Sequence, residues 1–152
     1  MPRPVVKKIN LNEVIIRSIN FLKISLKSKI SFNKNNKSNF IMGDEDQLYR
    51  VFINIIKNAD ESIEEILNKK PKYEGKIEID IFTNKDYIIS TIKDNGEGIS
   101  DTKKVMTPYF TTKKKGTGLG LPIVNKIINE HSGEFVIKKD KGTTIEIWLP
   151  SI

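Results

Sequence analysis

Between Asp44 and Pro71 the chain carries one hydrophobic pattern that leaves little choice of structure. Leu48, Val51, Phe52, Ile55, Ile56, Ala59, Ile63, Ile66 and Leu67 recur at helical spacing, and at about 100° per residue they fill a single arc roughly 160° wide. The spacing predicts a helix from Glu45 to Asn68, opened by Asp44 with Gln47 three residues on, which has the form of a capping box. That arc must face a core.

On the same wheel Asn54, Asn58 and Glu61 fall within roughly 60° of one another, beside the apolar stripe and not opposite it. Polar groups at that border line a cavity or simply mark the solvent edge of the helix, and the helix alone does not decide between the two. Their oxygens suit Mg²⁺, which takes oxygen ligands and keeps waters and substrate phosphates for the rest of its shell. Asn58, central among the three, is the candidate metal ligand.

The prolines of Met1-Pro2-Arg3-Pro4 set an extended start. Asn10 and Asn12 can cap a helix carrying Val14, Ile15, Ile19, Leu22 and Leu26, and two short strands, Lys29 to Asn33 and Asn39 to Met42, read as a hairpin around a polar Asn/Lys turn. Beyond the long helix, Lys69 to Gly75 is a basic connection. Lys76 to Thr83 and Tyr87 to Lys93 alternate as antiparallel strands. Pro122 opens a helix through Ile123, Val124, Ile127 and Ile128 that Gly133 ends, and Glu134 to Lys139 and Thr143 to Leu149 form two last strands.

The region from Asp94 to Gly120 holds five Gly, one Pro and no lasting periodicity, which is too long for an ordinary connection and points to function. Asp94-Asn95-Gly96-Glu97-Gly98 follows directly on a strand, and its glycines permit close backbone approach. Asp94 could there accept a hydrogen bond from an amino group on a flat heterocycle. A plain turn is the alternative; a calcium loop lacks its oxygen spacing and its Glu at the twelfth position. Gly116-Thr117-Gly118-Leu119-Gly120-Leu121 runs into a helix, where backbone N–H groups and the dipole favour phosphate. Between them, Ile99 to Lys115 reads as a mobile lid, with Pro108-Tyr109-Phe110-Thr111-Thr112 as an aromatic anchor and Lys113-Lys114-Lys115 as a cationic strip. Such a strip is often mere solvated surface, yet beside a phosphate turn it would help neutralise a triphosphate, with Lys113 the best placed.

Composition closes off other classes. In 152 residues there is no Cys, so disulfide scaffolds, thiolate metal sites and cysteine nucleophiles are excluded. No run approaches the roughly 18 apolar residues of a membrane span, and the N-terminus lacks signal-peptide grammar, so a cytoplasmic location is expected. The net charge of +7 permits an anionic partner, but the Lys residues are dispersed, and no nucleic-acid contact is expected.

In this order the motifs resemble those of the nucleotide-binding domain of sensor histidine kinases, in the ATPase superfamily shared with gyrase, Hsp90 and MutL. Asn54-Ile55-Ile56-Lys57-Asn58-Ala59 resembles the N box, Asp94 to Gly98 the first glycine box, Pro108 to Lys113 the phenylalanine box and Gly116 to Leu121 the second glycine box, while Gly142-Thr143-Thr144 resembles the last. Thr111-Thr112-Lys113 with Glu61 is most similar to the nitrogen-regulation branch of NtrY- or NtrB-like sensors. The resemblance implies an α+β fold, the Bergerat α/β sandwich, in which helices cover one face of a mixed, mostly antiparallel sheet.

It also implies ATP and Mg²⁺ as cofactors. Asn58 would hold the metal, Asn54 would support the phosphates or their waters, Asp94 would take the adenine amino group with help from Thr144, and Gly96 and Gly98 would line the adenine pocket. Glu61, Phe110, Thr111, Thr112, Gly116, Thr117, Gly118, Leu119 and Gly120 would complete the nucleotide contacts, and Asn54, Asn58 and Lys113 would serve the transfer.

Where the hydrolysing branch carries a water-activating Glu, this chain has Asn54, which cannot act as a base, so steady hydrolysis is not expected. Phosphoryl transfer needs mainly positioning and charge neutralisation. The family's acceptor is a histidine on a dimerising helical hairpin. The sole histidine here, His131, precedes a helix stop and reads as structural. Residues 1–10 are then expected to be a linker from that hairpin and 11–152 a monomeric ATP-binding catalytic domain without membrane contact, the cytoplasmic portion of a membrane-anchored sensor. Its expected partners are the hairpin and a downstream response regulator. Alternatives are a free-standing serine kinase or anti-sigma-type relative of the same fold, and a basic nucleic-acid-binding module.

Overall fold

A computed structural model describes residues 3–35, 37–98, 120–139 and 141–152. Its central helix, α2 (Glu45–Lys69), starts where the Asp44 carboxylate accepts the Gln47 N–H at 3.0 Å. Glu45 and Asp46 in the first turn and Lys69 in the last complement the helix dipole. Leu48, Val51, Phe52, Ile55, Ile56 and Ile63 are fully buried, each contributing about 1.5–3 kcal/mol of apolar transfer. The remaining helices are α1 (Leu11–Leu22), which packs on α2, and α3 (Gly120–Glu130). Asn10 caps α1 by accepting the Asn12 N–H, and Leu26, beyond the helix end, packs against the core.

The helices cover one face of a five-stranded sheet of order β2-β4-β5-β7-β6, built from β2 (Lys29–Asn33), β4 (Lys76–Thr83), β5 (Tyr87–Asp94), β6 (Glu134–Lys139) and β7 (Thr143–Pro150). Only β2 and β4 pair in parallel; the other ladders are antiparallel. Strand alternation sends Ile77, Ile79, Ile81, Ile88, Ile92, Ile145, Ile147 and Leu149 toward the helices. Lys93, Thr144, Glu146 and Trp148 lie on the opposite face, where Glu146 bridges Lys138 at 2.8 Å. The mixed, mostly antiparallel sheet is the one the resemblance implies.

The expected hairpin between 29 and 42 does not form. β3 (Phe40–Gly43) pairs instead with β1 (Lys7–Asn10) in a separate two-stranded sheet, Ile9 opposite Ile41, while β2 joins the main sheet with Ile30 and Phe32 beside Ile77 and Ile79. Each short strand finds apolar neighbours in a distant segment that a local hairpin could not supply. The Asn-rich stretch between them acts as a polar plug: buried Asn39 donates to Asn12 Oδ1 and to Asn35 Oδ1, each at 2.9 Å, tying the stretch to the start of α1.

His131 is structural, as the sequence indicates. Its Nδ1 donates to the Ile127 carbonyl at 2.8 Å, so its Nε2 is the acceptor for the Asp44 N–H at 3.0 Å. It thereby joins the C-terminal end of α3 to the turn that starts α2.

Candidate functional site

Asp94 ends β5 on the helix-facing side of the sheet, between Ile77 of β4 and Thr143 of β7, and is only 6% exposed. Its Oδ1 accepts the Gly96 N–H at 2.9 Å, which bends the chain away from the sheet while keeping the carboxyl group inside. Burying a carboxylate is costly unless it is paired or hydrogen-bonded, and the Gly96 N–H supplies one such bond to Asp94.

Backbone packs on backbone around it. A Cβ at Gly142 would overlap the Asp94 carbonyl oxygen and sit 3.0 Å from Asn95 Cα, and Gly98, at φ +85°, faces the Gly142 carbonyl. Only glycine fits this approach, and it brings the first glycine motif against the last. On the other side, a Cβ at Gly96 would come within 2.8 Å of Ser62 Cβ on α2.

One turn earlier on α2 stands half-buried Asn58. A Cβ at Gly120, the first residue of α3, would lie 3.5 Å from Asn58 Nδ2 and 4.0 Å from its Oδ1. Asn58 and Ser62 are four residues apart, or about 6 Å along the axis. A single turn of α2 therefore meets both the start of α3 and the turn that carries Asp94. Asn54 and Glu61 share the half-buried border of the helix with Asn58.

The donor set fits a hard cation of limited protein coordination. Among the described residues no cluster of three or more His, Cys, Asp or Glu could cage a metal. An amide oxygen beside a helix N-terminus that attracts phosphate is instead the protein share expected for Mg²⁺ carried on a nucleotide.

Two placements refine the sequence reading. Thr144 pairs with Lys93 on the face away from the helices, because Ile145, Ile147 and Leu149 set the parity of β7, so Thr144 does not stand beside Asp94. Thr143, 4% exposed, is the threonine opposite Asp94. That parity is readable from the strand's own alternation. Ser62 was also legible as a small residue inside the apolar arc of α2, where a larger side chain would block Gly96. Phe110, Thr111, Thr112, Lys113, Gly116, Thr117, Gly118 and Leu119, with the lid expected over 99–115, lie outside the described residues.

Away from the site, burial pushes the Asp44 carboxyl up, but the N–H groups of Val5, Gln47 and Asp46 outweigh it and hold the group below its ordinary value. The Lys138 ammonium holds Glu146 low against the opposing effect of burial, helped by the Trp148 indole N–H.

Fold and site together define an α/β sandwich in which one helix, α2, runs past both the turn after a buried carboxylate and the start of α3. A family model described as histidine kinase-, DNA gyrase B- and HSP90-like ATPase matches residues 43–152, and the chain belongs to that family, whose domain binds ATP. It is 35% identical over 152 residues to the sensor histidine kinase ZraS of Salmonella typhimurium, covering 95% of this chain and 31% of that protein. It is 37% identical over 120 residues to a sensor histidine kinase of Rickettsia conorii described as NtrY-like, covering 76% of this chain and 19% of that one. The catalytic domain of histidine kinase ThkA superposes with a TM-score of 0.80 at 27% identity, over 95% of this chain and 97% of that one. The chain thus spans about a third of the length of ZraS, and it is homologous to the ATP-binding catalytic domains of sensor histidine kinases.

Proposed function

We propose that this chain presents Mg-ATP so that the γ-phosphate passes to a histidine on a separate helical hairpin, and that a response regulator acts downstream. One observation carries the reading: one turn of α2 brings Asn58 to the start of α3 and Ser62 to the turn that holds buried Asp94. The base would sit against Gly96 and Gly98 with its amino group on Asp94, and the phosphates near Asn58 and the N-terminus of α3. Mg²⁺, held by Asn58, would neutralise charge on the phosphates. Asn54 would orient phosphate oxygens or their waters, since an amide accepts no proton from an attacking water. Thr143 would assist Asp94.

The nitrogen-regulation subtype is a finer part of the same proposal, supported by Glu61 on the α2 border and by the NtrY-like relative. So is a cytoplasmic setting, where ATP is supplied; among the described residues no helix is long and apolar enough to cross a membrane.

The test is reconstitution. The chain is mixed with ATP and a helical hairpin carrying the acceptor histidine, taken from a homologous sensor kinase, and acid-labile phosphohistidine is measured. Label on the hairpin, and none on the chain alone, is expected. Acid-stable label on a serine, or label on His131, would overturn the proposal.

A further inference from the structure

Asp94 can read a base only if the turn that follows it is held still, and the residue that holds it is Asn95. The β4–β5 ladder ends at the Ile77–Asp94 pair, and beyond it Asn95 continues the pairing by other means. Its side-chain Oδ1 accepts the Lys76 N–H at 2.8 Å, its Nδ2 donates to the Glu74 carbonyl at 2.9 Å, and its backbone N–H donates to the Lys76 carbonyl at 3.3 Å. The Tyr73 hydroxyl donates to the Asn95 carbonyl at 2.5 Å. Four hydrogen bonds thus converge from residues 73–76, where α2 hands over to β4, onto the single residue between Asp94 and Gly96.

The connection has an anchor of its own. The Tyr73 ring packs against the core, and Lys29 donates its backbone N–H to the Gly75 carbonyl at 3.0 Å. The clamp therefore fixes the turn to the body of the sandwich. The direction of the Asp94 carboxyl group depends on that turn, because its Oδ1 is held by the Gly96 N–H at 2.9 Å.

We infer that Asn95, supported by the Tyr73 hydroxyl, is a positioning residue for base recognition: it touches no nucleotide, and it sets affinity and adenine selectivity by orienting Asp94. The inference rests on the proposed reading of Asp94 as the group that takes the adenine amino function. It assigns the 70–75 connection a role as the platform beneath the base pocket.

The experiment is calorimetric titration of the 152-residue chain with Mg-free ADP and GDP, well below the melting temperature, for the parent, D94N, N95A and Y73F. D94N is expected to abolish the preference for ADP. N95A should weaken ADP about fivefold to tenfold and narrow the ADP-to-GDP ratio, while Y73F, which keeps the ring in place, should weaken ADP about twofold to threefold in the same direction. A residue that merely supported the fold would lower the melting temperature and leave that ratio intact. An unchanged ratio in both N95A and Y73F, with D94N still collapsing it, would overturn the positioning role alone. A ratio that D94N leaves unchanged would overturn the reading of Asp94 and, with it, the clamp. If N95A fails to fold, the Y73F ratio decides.

Discussion

The two ends of the candidate site are built differently. At the proposed base end, Asp94 is 6% exposed and laddered between two strands, with the Gly142 backbone packed against it, Gly98 against Gly142, and the Gly96 N–H on its carboxylate. At the proposed metal end, Asn54, Asn58 and Glu61 are half-buried side chains on the border of one helix, and the contact with α3 runs from the Asn58 amide to Gly120 with ordinary van der Waals room. The contrast matches what each end would bind in the proposed reading. Reading a flat base by one donor requires a fixed backbone, since a small displacement misaligns a hydrogen bond. A Mg²⁺ ion completes its octahedron with waters and phosphate oxygens, so the protein can contribute one adaptable amide.

Affinity without metal should therefore reside at the base end. Asp94→Asn is expected to weaken Mg-free ADP by about 10- to 100-fold, the range for losing a hydrogen bond to a charged group. Asn58→Ala should change it by less than about threefold. Titration of both variants checks the contrast, and equal losses would break it. The same test can be run with one methyl group at each end. Gly142→Ala drives a Cβ into the Asp94 carbonyl and should cost about 1–3 kcal/mol, as overpacking does. Gly120→Ala meets its nearest atom at 3.5 Å and should leave thermal stability unchanged or slightly improved, because alanine is favoured over glycine in a helix. A melting point for Gly120→Ala as low as that of Gly142→Ala would show the metal end to be just as tightly built.

The legibility of these two ends in the sequence differed for physical reasons. The helix of Asn58 was visible because 25 residues of one period outweigh any local ambiguity, and β4 to β7 were visible because each alternates between turn residues. β2 and β3 were misread as a hairpin because short strands are paired by whatever apolar partner the whole fold supplies, and those partners, Ile77 and Ile9, are far away in sequence. At the proposed base end, Asp94 and its glycines stand out by residue type and spacing, but the threonine beside Asp94 could not be chosen from the motif alone. Parity through Ile145 and Ile147 selects Thr143 over Thr144. Asn95 was invisible as a clamp, since its hydrogen bonds join groups about twenty residues apart that no local period relates.

Metal dependence sharpens the comparison from the other side. Asn58→Asp should weaken Mg-free ADP by setting a charge against the phosphates, and should change the ratio of affinities with and without Mg²⁺ by about tenfold, because a bound cation would relieve that repulsion. Titrations with and without a chelator measure that ratio, and an unchanged value would remove Asn58 from the metal. Within the base end, Thr143→Ala should weaken ADP by about fivefold through loss of one hydroxyl hydrogen bond. Thr144→Ala, on the far face, should fall within error in the same titration, and the reverse order would mean that strand parity does not govern the pocket.

The smallest effect tests whether the two ends are insulated from the far end of the helix that serves both. Asp44 caps α2 about 15 Å before Asn54, and its carboxylate also accepts the Val5 N–H at 2.7 Å. Its pKa is lowered in the fold, despite burial, by those N–H donors. The stabilisation it contributes is thus fully present above the unfolded-state pKa, about 3.9, and is lost as pH falls through that value toward the lower folded one. Asp44→Asn keeps a good helix cap but has no charge to titrate and one acceptor fewer for Val5. The parent should be more stable than Asp44→Asn at pH 7 by about 1 kcal/mol or less, and that advantage should shrink from about pH 5 downward. Melting curves of the two proteins between pH 3 and pH 7 measure the gap. A gap that widens in acid would contradict the lowered pKa, and a shift in the ADP-to-GDP ratio of Asp44→Asn at neutral pH would mean that the start of α2 is mechanically coupled to the base pocket at its other end.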